Sequence, residues 1–128
     1  MKAKTLTIII PAYISPSRNK LYSVKHWSQR SKIANEVHEI VASYITSKAR
    51  SFLKDHKLPV DIKITQYKKS KRLADSDNIE DKLIIDSLKG KVLEDDDVRF
   101  VRRVTTEMII GAEKNELHIK ISKIKNLK

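Results

Sequence analysis

Over residues 26–54 the apolar side chains recur at helical spacing: Ile33, Val37, Ile40, Val41, Tyr44 and Ile45, then Phe52 and Leu53. Steps of three and four gather them into one stripe, and a stripe that wide has to be covered by another layer. The covering layer is written elsewhere in the chain with period two. Residues 6–10 read as a first strand closed by Pro11. In residues 60–67, behind Pro59, Val60, Ile62 and Ile64 alternate with Asp61, Lys63 and Thr65. Further strands are expected over 99–110 and 117–121, joined by a hairpin loop at 111–115. Residues 12–23 read as a polar loop. A short second helix, 78–88, presents Ile79, Leu83, Ile84 and Leu88 and stops at Gly90; Asp77 followed by Glu80 has the spacing of its N-cap. The predicted order is β-α-β-α-β-β. It makes a single α+β domain over residues 1–128, with a mixed sheet, one long and one short helix, and a frayed basic tail at 123–128.

Within that frame, composition narrows the function. The 128 residues include no cysteine, which excludes disulfides, thiolate zinc sites and a cysteine nucleophile. His26 and His38 lie twelve residues apart on opposite helix faces, and His56 and His118 have no ligand partner near them in sequence, so no zinc pattern is present. The apolar run near the N-terminus is too brief for a signal peptide or a membrane span, and a soluble, cytoplasmic protein is expected. The formal charge of +11 points to a polyanionic partner. From Asp75 to Asp97, however, nine acids face three lysines, a local balance of −6. Carboxylates repel phosphate, so an acidic island in a basic protein suits nucleic-acid chemistry only if it holds a cation; its plain alternative is a solvated helix and turn.

The island has internal order. Asp75 and Asp77 are two apart, and in an extended segment both point to one side and can share an ion. Asp95, Asp96 and Asp97 follow the short helix. Hard carboxylate oxygens without histidine or cysteine match Mg²⁺ or Mn²⁺. Lys82, four residues after Asn78, is placed to steady ligands or a charged transition state. Each feature also has a plainer use: Asp77 as a helix cap, residues 95–97 as an exposed turn, Lys82 as the ion-pair partner of Asp86. Trp27 beside Arg30 reads either as a core anchor or as a base-stacking residue. Arg18, Asn19, Lys20, Lys25, Lys68, Lys69, Lys71 and Arg72 are the candidate phosphate contacts, positioning DNA without reading its sequence.

The string Asp75-Ser-Asp77-Asn78, then Lys82, Asp86-Ser-Leu88, Gly90 and Val92-Leu93-Glu94-Asp95-Asp96, resembles the signature of the RusA-type Holliday junction resolvases. Ser17-Arg-Asn19-Lys-Leu-Tyr22, Lys25-His26-Trp27 and Arg30-Ser-Lys32 add to the likeness, which spans roughly residues 8–104. The resemblance implies a homodimeric, Mg²⁺-dependent endonuclease, with Mn²⁺ able to substitute, that nicks opposing strands of a four-way DNA junction in recombination and repair. It needs no nucleotide cofactor, and many members come from phages or prophages. It further implies that Asp75, Asp77 and Asp96 are the metal ligands, with Asp97 as the alternative to Asp96, and that these aspartates and Lys82 are catalytic. Two departures stand out: the lysine follows Asn78 by four residues where the family pattern has three, and a third aspartate extends the Asp95-Asp96 pair. Two other readings compete with a resolvase: a metal nuclease acting on flaps or forks, and a basic nucleic-acid-binding adaptor that does not cut.

Overall fold

The computed structural model describes residues 4–73 and 78–124. Its elements are β1 (Thr5–Pro11), α1 (Arg18–Ser23), α2 (Trp27–Ser43), α3 (Ser47–Arg50), β2 (Val60–Lys68), α4 (Asp81–Leu88), β3 (Val101–Ile110) and β4 (Glu116–Lys123). Together they make one small α+β domain with a four-stranded mixed sheet in the order β1-β4-β2-β3. β4 runs antiparallel to both β1 and β2, while β2 and β3 are parallel and joined through α4. Pro11 closes β1 without cost to the ladder because β1 is an edge strand.

One face of the sheet carries the core. Ile62 and Ile64 of β2 and Leu117, Ile119 and Ile121 of β4 are buried together with Val37 and Val41 of α2 and Ile84 and Leu88 of α4. The alternating positions meet water and form cross-strand ion pairs, Arg102 with Asp61 at 2.6 Å and Lys63 with Glu107 at 3.5 Å. Helices on one side and a polar face on the other are what the period-two pattern demands.

Four expectations change. The long helix is interrupted: α2 ends at Ser43, and Thr46 starts α3 by accepting a hydrogen bond from the Ala49 amide at 3.1 Å. A hydroxyl that caps competes with helix continuation, and Tyr44, expected inside, is exposed. The polar loop contains a helix, α1, capped by Ser17 Oγ on the Lys20 amide at 3.0 Å. The segment 111–115 is not a hairpin, since β2 lies between β3 and β4. That segment instead crosses the end of β2, where the Lys68 and Ser70 carbonyls accept from the Ala112 and Gly111 amides at 2.9 and 3.0 Å. At the C-terminal end, Lys123 belongs to β4, and its amide donates to the Lys4 carbonyl at 2.9 Å; of the expected tail, residues 125–128 lie outside the described residues.

Candidate functional site

The second helix begins later than the sequence suggests, and that shift organises the site. α4 starts at Asp81, with Glu80 as its N-cap residue, so the helix begins three residues after Asn78. Asn78 and Ile79 instead extend alongside the start of α1. Ile79 forms a β-bridge with Ser17, and Asn78 Oδ1 accepts from the Asn19 amide at 3.1 Å. Arg18 completes the clamp, donating through Nε to the Ile79 carbonyl at 3.2 Å and through Nη2 to Asp81 Oδ1 at 2.7 Å. Arg18, read as a phosphate contact, is therefore engaged in joining α1 to α4. Asp75 and Asp77, the first two expected metal ligands, lie outside the described residues.

This junction borders a cleft of about 360 Å³ lined by Ser15, Lys20, Gln66, Lys68 and Asn78 among others. Two of the expected phosphate-binding lysines thus converge beside the residue that follows Asp77. The cleft wall is held by a side chain that sequence reasoning missed. Gln66 is 1% exposed. Its Oε1 accepts from the Ser15 amide at 2.9 Å, and its Nε2 donates to the carbonyls of Tyr13, Tyr67 and Glu116 at 2.9, 3.2 and 3.1 Å. Every polar atom of the amide is satisfied, so it fastens the loop before α1 to the sheet. Its one sequence signal is a polar residue at the position that continues the apolar register of Val60, Ile62 and Ile64 at period two.

The remaining basic candidates are spread around this end. Lys69 donates its amide to Asn115 Oδ1 at 2.8 Å and Arg72 donates its own to Ser70 Oγ at 3.1 Å, so both belong to the ordered exit from β2. Lys71 runs past Gly111, where a Cβ would stand 3.6 Å from its Cγ. Lys20, Asn19 and Lys25 are exposed on α1 and the link to α2. Trp27 is 79% exposed, which removes it from the core, and Tyr22 is 62% exposed.

At the other end of α4 four carboxylates share two cations. Lys89 Nζ stands 3.6 Å from Asp95 Oδ1, 3.6 Å from Asp96 Oδ1 and 4.0 Å from Asp86 Oδ1. The charge of Asp96 is the largest influence raising the Lys89 pKa above its ordinary value, with Asp95 and Asp86 adding to it. Asp95 is held below the usual carboxylate range, first by the hydrogen bond from the Asp96 amide. Asp97 belongs to a different pair: Arg99 donates to it from Nε at 3.0 Å, from Nη2 at 2.7 Å and from the backbone at 2.9 Å. The Arg99 hydrogen bonds lower its pKa to about 2. Both Asp97 oxygens are engaged, which leaves Asp96 as the more available carboxylate of the two.

Lys82 is exposed on α4, and its predicted ion pair with Asp86 is not formed; Asp86 faces Lys89 instead. Lys82, Asp86 and Lys89 nevertheless share one helix face at steps of four and three. α4, at eight residues, is about 12 Å long and lies between Asn78 and the Lys89 cluster. Among the described residues no group of three histidines, cysteines or acids is arranged to hold a metal ion. Mg²⁺ needs oxygens at about 2.0–2.1 Å, whereas the Lys89 carboxylates are spaced around an ammonium. Carboxylate oxygens are the donors Mg²⁺ prefers, and the two other expected ligands, Asp75 and Asp77, lie outside the described residues. No helix among the described residues is long and apolar enough to cross a membrane. No family model matches the chain, and a search of curated proteins gave no match.

Proposed function

We propose that this protein is a Mg²⁺-dependent endonuclease of the RusA type that cuts branched DNA, with the four-way junction as its substrate. The observation that supports this most is the cleft at the head of α4, where Lys20 and Lys68 flank Asn78, the residue directly after the Asp75-Ser-Asp77 pair. Cations that seat a phosphodiester beside carboxylates that bind a divalent ion are the two halves of a metal nuclease. In this reading Asp75 and Asp77 hold the ion, which polarises the phosphate and activates water when bound. Asp96 is the third ligand in preference to Asp97, whose two oxygens are held by Arg99. Lys82, exposed on α4 without an ion pair among the described residues, is available to the charged transition state. A homodimer supplies the two symmetric sites that paired nicking requires.

The ion pairs that already engage Asp95, Asp96 and Asp97 within the fold favour a second reading, a DNA-binding protein that does not cut. The two separate cleanly. An immobile four-way junction incubated with the protein and Mg²⁺ is nicked symmetrically in the first case and bound without a nick, in Mg²⁺ or Mn²⁺, in the second. Matched flap and fork substrates in the same assay distinguish a junction resolvase from a nuclease of other branches.

A further inference from the structure

The elbow between α1 and α2 carries features that the cleft does not use. Trp27 opens α2 and Tyr22 lies near the end of α1, and they are 79% and 62% exposed. Leaving that much aromatic surface in water forgoes burial free energy of the order that normally draws such rings inside. Arg30 lies over the Tyr22 ring. It lies one helical turn beyond Trp27, its guanidinium sits 5.8 Å from the Tyr22 ring centroid, and its Nε donates to the Val24 carbonyl at 3.1 Å. Lys20, Lys25 and Lys32 lie within five residues of these rings in sequence and are exposed, and none of the three has an ion pair among the described residues. No acid among the described residues is paired with Arg30 either.

We propose that Tyr22, Arg30 and Trp27 form a stacking platform for unpaired bases of single-stranded DNA, with Lys20, Lys25 and Lys32 taking the adjoining phosphates. Rings interleaved with cations are what a sequence-tolerant single-strand site requires, because every base has a π face and every nucleotide a phosphate. A guanidinium plane beside the rings extends the stacking surface. α1 is six residues long, about 9 Å, so the platform lies within a few nucleotides of the Lys20–Lys68 cleft. A branch point is where unpaired or unstacked bases become available, so the platform supplies branch recognition to the proposed nuclease. It rests on the nucleic-acid part of that reading and not on cleavage.

Trp27 is the chain's single tryptophan, so its fluorescence reports on this site alone. The full chain is titrated in EDTA with oligo(dT) and, separately, with a blunt duplex, so that no cutting intervenes. The platform predicts saturable quenching by oligo(dT) and weaker quenching by duplex at equal occupancy. Trp27→Ala and Tyr22→Ala should each weaken oligo(dT) binding, measured by anisotropy of a labelled strand, by about 5- to 150-fold, and Trp27→Phe by much less. Retained thermal unfolding of the exposed-site variants shows that the fold is intact. Oligo(dT) binding that leaves Trp27 emission unchanged, or that survives Trp27→Ala at wild-type strength, overturns the platform while leaving DNA binding and nicking standing. Trp27 emission that shifts with protein concentration in the absence of DNA assigns the patch to a second copy of the chain and likewise overturns it.

Discussion

The two ends of α4 handle charge in opposite ways. At its C-terminal end Lys89 draws in Asp86, Asp95 and Asp96, and Arg99 takes Asp97, so both cations are matched inside the molecule while four carboxylates share them. At its N-terminal end Arg18 pairs with Asp81, but Lys20 and Lys68 line a cleft without an ion pair among the described residues, and the aromatic elbow beside it stays exposed. Charge left unmatched beside a cleft is held for something outside the chain. Charge matched within the fold stabilises that fold or must be released before it can act. An acidic run in the sequence therefore does not by itself mark where a ligand binds; the unmatched cations mark that place more directly.

Four perturbations test this contrast, beginning with the largest effect. Gln66→Ala removes the bolt of the open end and strands the Ser15 amide and the Tyr13 and Glu116 carbonyls. A loss of about 2–4 kcal/mol in urea unfolding is expected, from unpaired buried groups plus a cavity. A change within a few tenths would mean that the loop is held by other contacts. Next, Lys20→Ala with Lys68→Ala should weaken junction binding uniformly across sequences. It should also reduce the slope of log K against log salt by about 2, one unit per phosphate contact. An unaltered slope would show that the cleft does not seat phosphate.

At the matched end the effects are smaller. Lys89→Gln leaves three carboxylates without their counter-ion, so a modest drop in thermal stability is expected, and added salt should shrink it. Because the Lys89 pKa is raised by folding, its contribution is present below the ordinary lysine range and fades as pH rises through the raised value. Asp97→Asn is the mildest change. The Asp97 pKa is depressed to about 2, so its stabilising contribution is present above the unfolded value near ~3.9. It disappears as pH falls through about 2, and wild type and variant should converge there in urea midpoint. Midpoints that are equal at pH 7 would show that the Arg99 pair contributes nothing.

Much of the architecture was legible because hydrophobic period is a strong signal. Ile62 and Ile64, Ile119 and Ile121, Val37 and Val41, and Ile84 and Leu88 fall inside where their spacing puts them. What escaped were decisions made by tertiary contacts. The start of α4 moved to Asp81 because Asn78 and Ile79 bond to the α1 segment some sixty residues earlier, which no local pattern encodes. The break after Ser43 turned on one capping hydroxyl, Thr46. The 111–115 turn looks like a hairpin locally, and only the insertion of β4 between β1 and β2 makes it a crossover. For the site, sequence placed Lys20 and Lys68 among the phosphate contacts but could not show that they share a cleft with Asn78. It also paired Lys82 with Asp86, where Lys89 competes from the next turn.

The most direct test of the central claim is nicking of an immobile four-way junction by wild type and Asp77→Asn, each with Mg²⁺ and with EDTA. The account predicts paired symmetric nicks by wild type in Mg²⁺ only. It predicts a loss of at least about 10²–10³-fold in Asp77→Asn, the scale on which removing a transition-state-stabilising group acts, with junction binding retained. Tight binding of the junction by wild type without any nick in Mg²⁺ or Mn²⁺ would contradict it, and so would cleavage that persists in Asp77→Asn at the wild-type rate.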